Sequence, residues 1–78
     1  MTKKVIKIGG DFIKLDALLK LTGEASTGGR AKLMVLNGVV FVNGAVCFLR
    51  GKKIRPGDFV KINETEYAIE ASHESAGT

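Results

Sequence analysis

The stretch VVFVNGAVCF, residues 39–48, decides the fold class. Two β-rich runs flank Asn43-Gly44, the pair most favoured for a type I′ turn, so the segment reads as a β-hairpin. Downstream, RPGDFV at residues 55–60 places Pro56 and Gly57 at the second and third positions of a type II turn. Strand-like runs follow at residues 58–62 and 66–69, joined across Asn63-Glu64-Thr65. These runs predict a small curled antiparallel β-sheet.

Upstream of the hairpin the period changes. In DFIKLDALLKLTG, residues 11–23, Leu15, Leu18, Leu19 and Thr22 share one helical face, Asp16 suits the N-cap and Gly23 the C-terminal stop. A second helix begins after Thr27, its N-cap candidate. Ala31, Met34 and Val35 form its core stripe, Leu33 and Leu36 fall off it, and Asn37-Gly38 ends it. Residues 3–8 read as a short strand closed by Gly9-Gly10. The order is β-α-α-β-β-β-β: an α+β fold, two short packed helices followed by a small sheet.

With 78 residues the chain is expected to form one domain over residues 1–70. The polar end, residues 71–78, is expected to be a disordered tail. Cys47 is the only cysteine, so no intrachain disulfide forms, and no signal peptide is visible. Both point to a cytoplasmic location. The longest apolar run, near residues 39–42, is far too short to span a bilayer. Nothing in the chain demands more than a monomer.

The charge is divided. Residues 1–61 hold all twelve Lys and Arg against Asp11, Asp16, Glu24 and Asp58, a net +8. Residues 62–78 hold Glu64, Glu66, Glu70 and Glu74 and no cation, a net −4. Between Gly28 and Arg55 lie six cations and no acid, four of them (Arg50, Lys52, Lys53 and Arg55) within six positions. A one-sign field of this kind points to an anionic partner. The plainer reading is a solvated basic face. TGGRAK, residues 27–32, adds a helix start with small residues and two cations, which suits an anion, although an ordinary capped helix explains it equally well alone.

Catalysis finds little support. His73, the only histidine, falls in the expected tail, and Cys47 sits in a strand without a histidine near it. Asp11, Asp16 and Asp58 are explained as turn and cap residues. There is no Cys/His cluster for zinc and no P-loop spacing in GGRAK. The expectation is a non-enzyme with no cofactor and no metal.

Lys14-Leu15-Asp16, Thr27 to Ala31, LNGVVFVNG (36–44) and RPGDFV (55–60) together resemble the S4-type RNA-binding domain, the alpha-L motif. Its Gly-x-Val-x-Val-Asn-Gly signature is matched at Gly38, Val40, Val42, Asn43 and Gly44, and its Pro-Gly-Asp turn at residues 56–58. The likeness covers about residues 12–62 and is nearest the small stand-alone bacterial members, the YaaA/YbcJ-like group. It implies a protein that grips structured RNA, ribosomal or transfer, in a ribosome-associated or assembly role. Lys14, Arg30, Lys32, Arg50, Lys52, Lys53 and Arg55 would be the binding residues. Many members carry Ser-Arg where this chain has Thr27-Gly28; the hydroxyl is kept, and Arg30 stands in for the arginine. Phe12, Phe41, Phe48, Phe59 and Tyr67 fall at strand-like or core-like positions, which argues for recognition of RNA shape over base stacking. The alternative is an adaptor that docks an acidic protein through the same basic face.

Overall fold

The computed structural model describes residues 2–72. In chain order the elements are β1 (Thr2–Ile8), β2 (Ile13–Lys14), α1 (Leu15–Leu21), α2 (Gly28–Leu36), β3 (Val40–Val42), β4 (Ala45–Val46), β5 (Lys53–Ile54), β6 (Phe59–Ile62) and β7 (Thr65–Ala71). The α+β class and the helix pair are as the sequence predicts. The sheet is not purely antiparallel: it is a five-stranded mixed sheet in the order β1-β7-β6-β3-β4. The first and last strands run parallel from Thr2↔Thr65 to Ile8↔Ala71. This pairing joins opposite ends of the chain, where no turn residue announces it. The short strands β2 and β5, also absent from the sequence reading, form a separate two-stranded ladder.

The core follows the two periodicities. Alternate residues Val40, Val42, Val60, Ile62, Tyr67 and Ile69 bury one sheet face. Leu15, Leu18 and Leu19 of α1 and Ala31 and Val35 of α2 join them in a single cluster. Leu33 and Leu36, whose off-stripe positions predict either half exposure or cover from the N-terminal strand, are more than half exposed. No charged or polar residue is buried among the described residues.

The turns hold the elements in register. Asn43 (φ 52°) and Gly44 (φ 89°) both occupy left-handed backbone, as a type I′ turn requires. Gly57 (φ 100°) follows Pro56, and the Asp58 N–H donates to the Arg55 carbonyl at 2.9 Å, closing the type II turn. β6 and β7 are joined by Asn63-Glu64 alone, because Thr65 already pairs with Ile62. β7 reaches Ala71, and the Ser72 N–H donates to the Ile8 carbonyl at 2.9 Å, so the fold extends beyond residue 70. His73 and Glu74 lie outside the described residues.

Candidate nucleic-acid interface

The basic run at residues 50–55 is a strap across the start of α1. The Leu49 carbonyl accepts the Lys52 N–H at 3.1 Å, so residues 49–52 form a tight turn. The Lys52 and Arg50 carbonyls then accept the N–H groups of Leu15 and Asp16, each at 2.9 Å. These are two of the N–H groups that a helix start leaves without a partner. α1 is therefore capped from a distant segment. This corrects the assignment of Asp16 as N-cap: Lys14 holds that position with no side-chain bond, and Asp16 accepts from the Ala17 N–H at 2.7 Å inside the first turn.

The strap and β2 bring four of the expected residues together. Lys14 lies directly opposite Lys53 in the β2/β5 ladder, with Lys52 adjacent and Arg50 two residues earlier in the same turn. Like charges opposed across a ladder are destabilising. The Lys53 Nζ rests 4.9 Å from the centre of the Phe12 ring, which offsets a little of that repulsion. Arg55 stands at the far end of the strap, where its backbone opens the Pro-Gly turn.

Arg30 and Lys32 form a second group. Both are exposed on α2. Thr27 is the N-cap of that helix, as expected, its Oγ1 accepting from the Arg30 N–H at 3.1 Å. α1 and α2 pack against one another, but the strap meets α1 at its beginning and α2 follows from its end.

A second set of side chains holds the strap in position. Asn43 donates from Nδ2 to Asp58 Oδ1 at 3.1 Å and accepts from the Phe59 N–H at 3.0 Å. Asp58 Oδ2 accepts the Arg55 N–H at 2.9 Å. The sequence reading assigned Asn43 and Asp58 to separate turns; their clamp across the two turns was not visible. The backbone hydrogen bond from Arg55 holds the Asp58 carboxyl below its ordinary range, helped by Asn43 and by the charges of Lys52 and Arg55. The acid-free stretch thus acquires two acids at its border, Asp16 and Asp58, against five cations.

None of the twelve Lys and Arg side chains donates a hydrogen bond to another described residue. The polar side chains that hold the fold are Thr22, Thr27, Asn43, Asp58 and the pair Tyr67–Glu24, in which the phenol donates at 2.6 Å.

The aromatic residues require a correction. Tyr67 is buried, but Phe12, Phe41, Phe48 and Phe59 are 38%, 37%, 57% and 37% exposed. Of the strand-like or core-like positions expected for them, Phe41 and Phe59 lie in β3 and β6 on the uncovered face, whereas Phe12 and Phe48 lie just outside β2 and β4. Two shallow cavities, of about 440 and about 250 Å³, lie on the open sheet face, at Pro56–Ala71 and at Phe41, Gly44, Phe59 and Lys61. Neither adjoins the strap turn at residues 49–52. Among the described residues no three His, Cys, Asp or Glu are grouped to hold a metal, and no helix is long and apolar enough to cross a membrane.

A search among curated proteins finds no significant match. The family model of the S4 domain matches residues 6–70, from β1 through β7. That span contains the helix pair, the strap and the Asn43–Asp58 clamp, and the chain belongs to the S4 domain family, whose members bind RNA.

Proposed function

We propose that this protein binds structured RNA, ribosomal or transfer, through Lys14, Arg50, Lys52, Lys53 and Arg55 on the strap side and Arg30 and Lys32 on α2. The observation that carries this reading is the Lys14–Lys53 opposition flanked by Arg50 and Lys52. A fold gains nothing from two lysines facing each other. Phosphates of a folded RNA, spaced along an irregular backbone, would turn that repulsion into attraction. The free Gly28 and Gly29 amides at the start of α2 add donors for one further phosphate.

The module works without catalysis. Binding draws on counterion release, and about six neutralised phosphates give a slope of roughly −5 in log affinity against log salt. The reading includes a cytoplasmic, ribosome-associated or assembly role, of the kind served by small bacterial members of the family. Fluorescence anisotropy with labelled ribosomal RNA fragments, a transfer RNA and a DNA duplex of equal charge, across a salt series, tests it. Tight, salt-steep binding to one folded RNA is expected. Equal weak binding to every polymer would leave a generic polycation and favour an acidic protein partner.

A further inference from the structure

Phe48 and Leu49 are among the most exposed large apolar side chains of the described residues, at 57% and 69%. Leaving them in water forgoes much of the stabilisation that burial of such side chains brings. Their place in the chain explains what they serve. They immediately precede Arg50 in the strap turn, and Leu49 is itself the first residue of that turn.

The Phe48 ring is anchored. Its Cε1 and Cζ lie 3.4 and 3.6 Å from where a Cβ on Gly38 would stand, and the Val46 Cγ2 lies 3.8 Å from the same point. Gly38, with φ +73°, ends α2 and at the same time leaves the ring a seat against bare backbone. The chain on both sides is tied down, by Cys47 N–H to the Val40 carbonyl at 2.9 Å and by Lys52 N–H to the Leu49 carbonyl at 3.1 Å. An aromatic ring seated against Gly38, more than half exposed, and leading in the chain into the turn that carries Arg50 and Lys52 presents both halves of a nucleotide site. The ring takes the face of a base and the cations take its phosphates. In a fully paired A-form helix the base faces are hidden within the stack.

We infer that the RNA held by the strap carries an unpaired nucleotide, a bulge or a splayed loop base, and that Phe48 is the platform on which this base stacks. The inference rests on the RNA-binding reading and narrows its substrate class. Leu49 extends the apolar surface beneath the base. Arg50 and Lys52 engage the flanking phosphates, so the platform and the strap act on one segment of RNA. An acidic peptide would satisfy the cations but offers no flat π face for the ring.

The test compares an RNA hairpin with a perfectly paired stem and the same hairpin carrying one bulged adenosine. The wild-type protein is expected to favour the bulged stem within the roughly 5- to 150-fold that one stacked base contributes. Phe48→Leu keeps the apolar bulk and removes the π face, so it should bind both stems with the paired-stem affinity. Phe48→Tyr should retain the preference, and circular dichroism of each variant checks the fold. Equal binding of both stems by the wild type, or equal loss on both in Phe48→Leu, overturns the platform. If neither stem binds, the RNA reading itself fails. The platform is then judged by titrating the tetranucleotide rA4 and following its adenine protons by NMR. Saturable upfield shifts of the adenine H2 and H8 protons with the wild type that are lost with Phe48→Leu support it, and adenine signals unmoved by the wild type overturn it.

Discussion

Two ladders in this small molecule treat charge in opposite ways. In the large sheet, Lys3 and Lys61 lie opposite Glu66, and Lys7 lies opposite Glu70. In the two-stranded ladder Lys14 lies opposite Lys53, with Arg50 and Lys52 beside them. Two glutamates of the acidic segment 62–78 are therefore set in register with lysines inside the sheet. Glu66 and Glu70 stand opposite lysines of β1 and β6 and line a cavity with the Pro56-Gly57-Asp58 turn at the far end of the strap. The difference separates cations that the fold accommodates from cations it leaves unmatched. The unmatched ones are candidates for work outside the fold.

The largest expected effect is on the unmatched side. Arg50→Glu combined with Lys52→Glu should lower RNA affinity on the order of 100-fold and flatten the salt slope by about two. It should leave the far-ultraviolet circular dichroism and the melting temperature in place, because both residues hold α1 through their carbonyl groups and not their side chains. The control in the other ladder is Lys3→Glu with Lys7→Glu. It puts like charges opposite Glu66 and Glu70, costs about 1 kcal/mol of stability and moves RNA affinity only slightly. If the two pairs exchanged behaviours, the division between the ladders would be wrong.

The next effect falls on the clamp that positions the strap. Asn43→Ala removes two side-chain hydrogen bonds and forces a left-handed backbone on alanine, together about 2–3 kcal/mol. Chemical denaturation should report that loss, while RNA affinity of the folded fraction at low temperature changes little. The same clamp gives the protein an acid sensitivity. Asp58 titrates below its ordinary value when folded, so its contribution is complete above about pH 4 and is lost as pH falls through the folded value. Asp58→Asn should flatten that part of the stability profile.

How far the sequence carries the structure depends on the range of the interaction. Thr27, Asn43-Gly44, Pro56-Gly57 and the stripe Leu15-Leu18-Leu19 are local signals, and the structure agrees with each. The β1–β7 pairing, the β2–β5 ladder and the capping of α1 by the strap join residues that are remote in sequence, and no spacing rule reaches them. For the candidate interface, the charge run pointed to the strap, the helix start TGGRAK to Arg30 and Lys32, and the resemblance added Lys14. Phe48 was read as strand-like or core-like, but β4 ends at Val46 and the chain turns into the strap, leaving the ring more than half exposed. Gly38 holds a usable signal in retrospect: a helix-ending glycine that also faces an aromatic residue in the returning hairpin.

A smaller effect is expected at the link between the α1–α2 loop and the sheet. Tyr67 is buried in β7 and its phenol donates to Glu24 Oε2 at 2.6 Å. Tyr67→Phe should cost about 1–2 kcal/mol, because the carboxylate loses a charge-assisted partner. Burial, and then the Glu24 hydrogen bond, raise the Tyr67 pKa above its usual 10.0. The folded state thus keeps the proton longer than the unfolded chain. Stability should be full below about pH 10 and decline as pH rises through the folded value, and the Phe variant should lose that decline.

The smallest effect returns to the opposed lysines. The Phe12 ring, 4.9 Å from the Lys53 Nζ, supplies the only aromatic contact made by a cation among the described residues. Phe12→Leu keeps an apolar side chain there and removes the π face, at a cost of about 0.5 kcal/mol for an exposed pair. The sign of the salt dependence distinguishes the two forces at work. Added salt screens the Lys14–Lys53 repulsion, so this protein should melt higher as salt is raised from low ionic strength. The rise should be steeper in Phe12→Leu, where less of the repulsion is offset. Lys14→Gln should abolish the rise in both backgrounds and raise the melting temperature at low salt. A flat salt response in the unaltered protein would mean that the two ammonium groups swing apart into water, and that the opposition of the backbones stores no repulsion for RNA to relieve.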